Sequence, residues 1–142
     1  MTLERTVQVD KPISRVYSYL SDFTTTEEWD AGTVRTTRVS GDGGVGTTYA
    51  NTSRFFGRET DLTYVVTTLE PDKKIALRGE NKTVVASDTI VLTGDEQHTQ
   101  VRYTAQFEFQ GFVKYLEPLL SLTMKRFGDD AQASLQLALQ KL

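Results

Sequence analysis

The sequence predicts an α+β domain: a curved, seven-stranded antiparallel sheet wrapped around one long C-terminal helix, with two short helices after strand 1. Three observations carry this. Apolar residues alternate with a period of two near the N-terminus and through most of residues 33–109. Residues 12–29 interrupt that pattern with helical spacing. From Leu116 to Leu142 the period is helical throughout. One helix is ~10 Å wide, whereas seven strands spaced ~4.8 Å apart are far wider. A flat sheet would leave apolar surface in water, so the sheet must curve around the helix. The space between them becomes core or cavity.

Residues 3–9 alternate and predict the first strand. Pro12, pre-set in φ, suits the first position of a helix over about 12–21, with Ile13, Val16, Tyr17 and Leu20 on one side. Residues 22–29 predict a second short helix, with Thr24 or Thr25 as the cap and an acidic residue three positions later in each case. Asp30-Ala31-Gly32 ends it. Strands follow over 33–40, 46–55, 59–69, 73–80, 83–93 and 98–109. They are separated by Gly- and Asp-rich turns, with Phe56-Gly57-Arg58 at or near one of them. Short connections make neighbouring strands antiparallel. In the last strand Val101, Tyr103, Ala105, Phe107 and Phe109 face one way and Arg102, Thr104, Gln106, Glu108 and Gln110 the other. In the long helix, Leu116, Leu120, Met124, Phe127, Ala131, Leu135, Ala138 and Leu142 form one stripe about seven turns long. Pro118 either begins or kinks that helix, and Gly128 costs about 1 kcal/mol in its interior.

The 142 residues fit a single domain spanning 1–142. A net charge of −3 gives no broad attraction for phosphate backbones, so no nucleic-acid partner is expected. The absence of cysteine removes thiolate catalysis and zinc–thiolate sites. With a single histidine and no carboxylate cluster, no metal site and no cofactor are expected. No apolar run approaches the ~18 residues of a membrane span, so integral membrane association is not expected and a cytoplasmic location is the default.

Asp88 is the most informative charge. It shares strand parity with Ala86, Ile90 and Leu92. Facing inward, it would be a carboxyl group in an apolar setting with a raised pKa, suited to general acid or base work. The competing reading is a bulged strand, or pairing with a basic residue of a neighbouring strand. Tyr49, Tyr64 and Tyr103 are candidates for polar handles on an apolar wall, or else ordinary core aromatics. Asn51 shares the parity of Tyr49, and Phe107 that of Tyr103. With Leu77, and with Met124 and Phe127 as the roof on the long helix, they complete the expected ligand-binding set. Trp29 is expected to pack the short helices against the sheet, and His98 to sit exposed in a turn. The Gly41–Gly46 segment reads as a hairpin turn rather than a phosphate loop.

Several segments together resemble a known superfamily. They are Val9-Asp10-Lys11-Pro12-Ile13-Ser14-Arg15-Val16-Tyr17-Ser18-Tyr19-Leu20-Ser21-Asp22-Phe23, Glu28-Trp29, Gly43-Gly44-Val45-Gly46-Thr47, Val66-Thr67-Thr68-Leu69-Glu70-Pro71 and Leu116-Glu117-Pro118-Leu119-Leu120. In order and pattern the chain resembles the helix-grip superfamily, which holds the Bet v 1-like and START-like proteins and the bacterial polyketide cyclase/dehydrase and lipid-transport families. The resemblance covers essentially the whole chain. It implies the helix-grip fold and an internal pocket for a hydrophobic small-molecule ligand that is lipid-, polyketide- or aromatic-like. Members differ widely in function, so three expectations stand in order. The first is a binding or transport domain. The second is a cofactor-free cyclase/dehydratase acting on a polyketide-like substrate, with Asp88 and a tyrosine moving protons. The third is a protein-interaction module, toxin-like or co-chaperone-like, that uses an outer surface.

Overall fold

The first strand of the chain closes against the last, and every other strand pairs with its neighbour in sequence. The computed structural model describes residues 1–55 and 57–142; Phe56, which the sequence places in a turn, lies outside the described residues. Strands β1 (Thr2–Val9), β2 (Thr33–Ser40), β3 (Thr48–Phe55), β4 (Arg58–Glu70), β5 (Lys74–Glu80), β6 (Val84–Gly94) and β7 (Thr99–Phe109) form one antiparallel sheet in the order β1-β7-β6-β5-β4-β3-β2. The β1–β7 register runs from Thr2 opposite Gln106 to Val9 opposite Thr99.

Helix α1 (Ile13–Ser21) starts one residue later than the sequence predicts. Pro12 stands just outside it at φ −60° and ψ 138°, and its carbonyl accepts from the N–H groups of Arg15 and Val16. Val16 and Leu20, one turn apart, are fully buried. The second predicted helix divides into a 3₁₀ turn (Phe23–Thr25) and α2 (Thr26–Trp29). Its cap is Asp22, whose carboxylate accepts from the Thr24 N–H at 3.1 Å. Thr25 does not cap; its hydroxyl donates to Tyr19 O and Asp22 O. Asp prevails because it stands one residue before the turn, where a side-chain acceptor meets the unpaired donors.

Helix α3 (Glu117–Gln140) follows a 3₁₀ segment (Gly111–Leu116). Pro118 lies in its first turn, so it begins the helix and does not kink it. At 24 residues it is about 36 Å long. Its buried residues are Met124, Gly128, Leu135 and Leu139. Leu139 thus takes an inward position that the sequence stripe gives to Ala138 and Leu142, while Leu116 is 37% exposed. Glutamines of α3 close the free edge of β1: Gln132 donates to Thr6 O at 2.8 Å and Gln136 to Gln8 O at 2.7 Å. Gly128 has a positive role. A Cβ there would lie 2.6 Å from Leu3 Cδ1 and 2.9 Å from Arg5 Nη2, so glycine lets α3 sit directly on β1.

Irregular register bends the sheet. A shift between Val66 and Thr68 interrupts the β4–β5 ladder, and two more lie in β2. On β4 the inward set therefore passes from Leu62, Tyr64 and Val66 to Leu69, which pairs with Ile75. The packed core holds Val16 and Leu20 of α1, Val66, Ile75, Ile90, Leu92 and Val101 of the sheet, and Leu135 and Leu139 of α3.

Candidate functional site

Beneath the middle of α3 the same interior is hollow. The void is about 100 Å³, partly open to solvent, with mainly apolar walls. Strand β1 contributes Leu3 and Arg5, and the β3–β4 pair contributes Ser53, Thr60, Leu62 and Tyr64. Strand β6 adds Val84, Ala86 and Asp88, and β7 adds Tyr103, Ala105 and Phe107. Trp29 and Asp30 close one side, and α3 roofs it with Phe127, Gly128, Ala131, Gln132 and Leu135. Small inward residues explain the void. Asp88 stands opposite Ala105, and Gly79 opposite both Tyr64 and Ala86. A Cβ on Gly79 would lie 2.6 Å from the Tyr64 ring, so the missing side chain is what admits that ring.

Asp88 faces inward on an unbroken ladder, and Ala86, Asp88, Ile90 and Leu92 are all buried. Of the alternatives the sequence leaves open, neither the bulge nor the basic partner occurs. Its partner is a phenol: Tyr103 donates to Asp88 Oδ2 at 2.6 Å. Tyr103 lies opposite Ile90, diagonal to Asp88 across the strand pair, a separation that long aromatic side chains reach. Burial pushes the Asp88 carboxyl up to about 7, against the hydrogen bond from Tyr103, and the charge of Asp30 adds to the rise. The Tyr103 and Tyr64 hydroxyls are both pushed well up by burial, and next by the charge of Asp88. Both therefore stay protonated as donors near neutral pH.

Asp30 is a site residue that sequence reasoning missed. Read as a helix terminator, it also lines the void. Its Oδ1 accepts from the Gly32 N–H at 3.1 Å and its Oδ2 from the Thr33 hydroxyl at 2.9 Å. Burial raises its pKa, and those two hydrogen bonds hold it down. The usable signal was the Trp-Asp-Ala-Gly run, where a turn-forming Asp follows directly on a buried aromatic. Trp29 does pack the short helices down: its indole N–H donates to Thr25 Oγ1 at 3.0 Å. It also lines the void, meeting the Tyr103 ring edge-on at a centroid distance of 5.6 Å.

Of the expected ligand-binding set, Tyr64, Asp88, Tyr103, Phe107 and Phe127 line the void. Tyr49, Asn51, Leu77 and Met124 do not, although each is buried. Tyr49 has the right parity, but Phe23 covers it at a ring-centroid distance of 5.7 Å. Asn51 is taken up in a network beneath α2. It donates to Thr36 Oγ1 at 2.8 Å and accepts from Ser53 Oγ at 2.7 Å, and Thr26 and Thr36 share a further bond at 2.7 Å. Leu77 sits beside Asp88 on β5, sealed in the core. The roof begins at Phe127, one turn beyond Met124. His98 is exposed and remote from the void, with Nε2 3.5 Å from Asp10 Oδ1. Among the described residues no cluster of three or more His, Cys, Asp or Glu side chains is placed to hold a metal ion. No helix among them is long and apolar enough to cross a membrane.

Solved structures share this architecture. The Zhui aromatase/cyclase from Streptomyces sp. R1128 superposes with a TM-score of 0.79 at 16% identity, covering 99% of this chain and 92% of that one. A protein from Thermus thermophilus gives 0.81 at 14% identity, covering 99% and 98%. A START superfamily protein from Mycobacterium smegmatis gives 0.71 at 12% identity, covering 96% and 97%. At such identities the likeness establishes the fold: a seven-stranded sheet gripping a long C-terminal helix. No curated protein matches the chain by sequence. The sequence pattern of one family, described as polyketide cyclase / dehydrase and lipid transport, does match, over residues 1–140. With the whole fold accounted for by that match, the chain belongs to the polyketide cyclase/dehydrase and lipid-transport family.

Proposed function

We propose that the chain binds a hydrophobic small molecule in the void beneath α3. The observation that carries this reading is the contrast within one interior. Mainly apolar walls carry a cluster of polar groups, Asp88, Tyr103, Tyr64 and Asp30, with Arg5, Ser53, Thr60 and Gln132 elsewhere on the lining. Such a cavity gains affinity from apolar burial and orientation from a few placed polar groups. Family membership supports the same reading. Size narrows the class. About 100 Å³ is of the order that takes one aromatic ring, well below the roughly 300–1,000 Å³ of pockets for larger ligands. An aromatic-like ligand fits the void as it stands. A lipid or extended polyketide requires the void to widen, with α3 over it moving outward.

Thermal shift and native mass spectrometry with a panel of mono- and bicyclic aromatics test the proposal. Wild-type protein should bind at least one, and Ala105→Leu, which fills the void, should lose binding while keeping its circular dichroism spectrum. Binding that survives the filled void would count against the site.

A second reading, a cyclase/dehydratase on a polyketide-like substrate, is favoured by one observation: the 2.6 Å Tyr103–Asp88 hydrogen bond. A carboxyl group with its pKa near 7 can take a proton from an acidic carbon or deliver one to a leaving oxygen at neutral pH. The adjacent phenol can donate to a developing oxyanion. Asp88→Asn should then abolish turnover and retain binding; unchanged turnover would remove Asp88 from the mechanism.

A further inference from the structure

The polar end of the void carries an excess of negative groups. Asp88 comes from β6 and Asp30 from the segment after α2, and both line the void. Facing them are the hydroxyls of Tyr64 on β4 and Tyr103 on β7, and from α3 no charged group. The cation that lines the void is Arg5 on β1, and its guanidinium is already engaged. Nη2 lies 3.1 Å from Asp129 Oδ1 and donates to Lys125 O, Nε donates to Asp129 Oδ1, and Nη1 donates to Glu4 O. Among the described residues neither Asp30 nor Asp88 is in a salt bridge. Beside them stand the rings of Trp29, Tyr64 and Tyr103.

We propose that the ligand is a small arylalkyl amine, its ring among Trp29, Tyr64 and Tyr103 and its ammonium held by Asp88 and Asp30. This rests on the reading of the void as a ligand site and names the chemistry of what fills it. Two carboxylates in a low-dielectric cavity without a counter-charge disfavour each other's ionisation, and a bound cation removes that penalty. Aromatic faces add cation–π attraction for the same group. An anionic ligand would meet repulsion. A neutral hydroxyl would pair with one oxygen and supply no counter-charge. The roughly 100 Å³ of space is of the order of one ring, and the void is partly open to solvent.

Three probes of similar shape decide the matter: 2-phenylethylamine, 2-phenylethanol and 3-phenylpropionate, titrated calorimetrically at pH 6 and pH 8. The amine should bind most tightly at pH 8 and the propionate least. Cation binding requires ionised Asp88, so amine affinity should rise about tenfold from pH 6 to pH 8, across the Asp88 titration near 7, while the alcohol stays level. Asp88→Asn should abolish both the pH dependence and the preference for the amine, with alcohol binding kept. Asp30→Asn should weaken the amine alone. If Asp88→Asn fails to fold, the wild-type ranking and pH series still decide. An alcohol that equals the amine at pH 8, or a preference for the amine that survives both substitutions, overturns the amine assignment and leaves the void a hydrophobic site. Failure of all three probes to bind overturns both readings.

Discussion

The interior of this molecule has a packed end and a hollow end, under one helix and one sheet. At the packed end the inward rows are branched: Ile75 opposite Ile90, Leu92 opposite Val101, Val101 opposite Val7. Helix α1 presses Val16 and Leu20 into that end, and α3 adds Leu135 and Leu139. At the hollow end Gly79, Ala86 and Ala105 interrupt the inward rows between larger residues such as Tyr64, Tyr103 and Phe107, with Gly128 and Ala131 above them. The difference is the small side chains at these positions, which leave a void where the other end is packed. The covering helix follows suit. Leu135 and Leu139 in its last turns are buried, whereas Leu119 and Leu122 near its start are 65% and 78% exposed, close in sequence to Phe112 and Tyr115 at 77% and 72%. That exposed run is the surface on which an interaction-module reading would have to rest.

The sharpest way to break the packed end is Leu139→Ala, which should cost about 2–5 kcal/mol because a fully buried side chain leaves a void that cannot collapse. Urea denaturation monitored by circular dichroism measures it; a loss under about 1 kcal/mol would mean that the two ends are not distinct. The hollow end should respond with the opposite sign. Asp88 has a folded-state pKa of about 7 against an unfolded value near 3.9, so the folded protein holds its proton longer. The contribution of Asp88 to stability should therefore fall as pH rises from about 4 to about 7 and level off above that. Asp88→Asn, which keeps a polar partner for Tyr103, should remove that slope and raise stability at pH 8 by on the order of 2–4 kcal/mol. A denaturation series from pH 4 to pH 8 checks both statements, and an unchanged slope in the variant would rule out Asp88 as its source.

Gly128→Val tests the junction between the two ends. The new side chain meets Leu3 and Arg5, so α3 must lift from β1, at a cost of about 1–3 kcal/mol. Faster hydrogen exchange at the β1 amides would show the lift, and wild-type protection there would argue against it. Smallest of all, Leu122→Ser should change stability by no more than about 0.5 kcal/mol, because that side chain covers nothing. A larger loss in the same urea assay would show that the exposed run is covered in solution.

Much of this was legible in the sequence because periodicity is local. Every strand and the long helix lie within two residues of their predicted bounds at each end, and Asp88 was singled out by parity alone. What parity could not supply was which inward residues meet space and which meet other side chains. Tyr49 and Asn51 have the same parity as cavity residues, yet Phe23 and the Thr26–Thr36 pair arrive from elsewhere in the chain to cover them. Asp30 was passed over for the converse reason: its turn role is local, and its second role exists only once α2 folds against the sheet.

By itself, then, the sequence determined the order of elements, the antiparallel pairing of strands joined by short turns and the face of most strand residues, since these follow from spacing along the chain. Tertiary structure decided that Asp88 meets Tyr103 rather than a basic residue, that Arg5 directs its charge to α3, and that a ring-sized void remains beneath the helix. Those outcomes depend on volumes and charges brought together from residues as far apart as Leu3 and Leu135, and no local pattern records them.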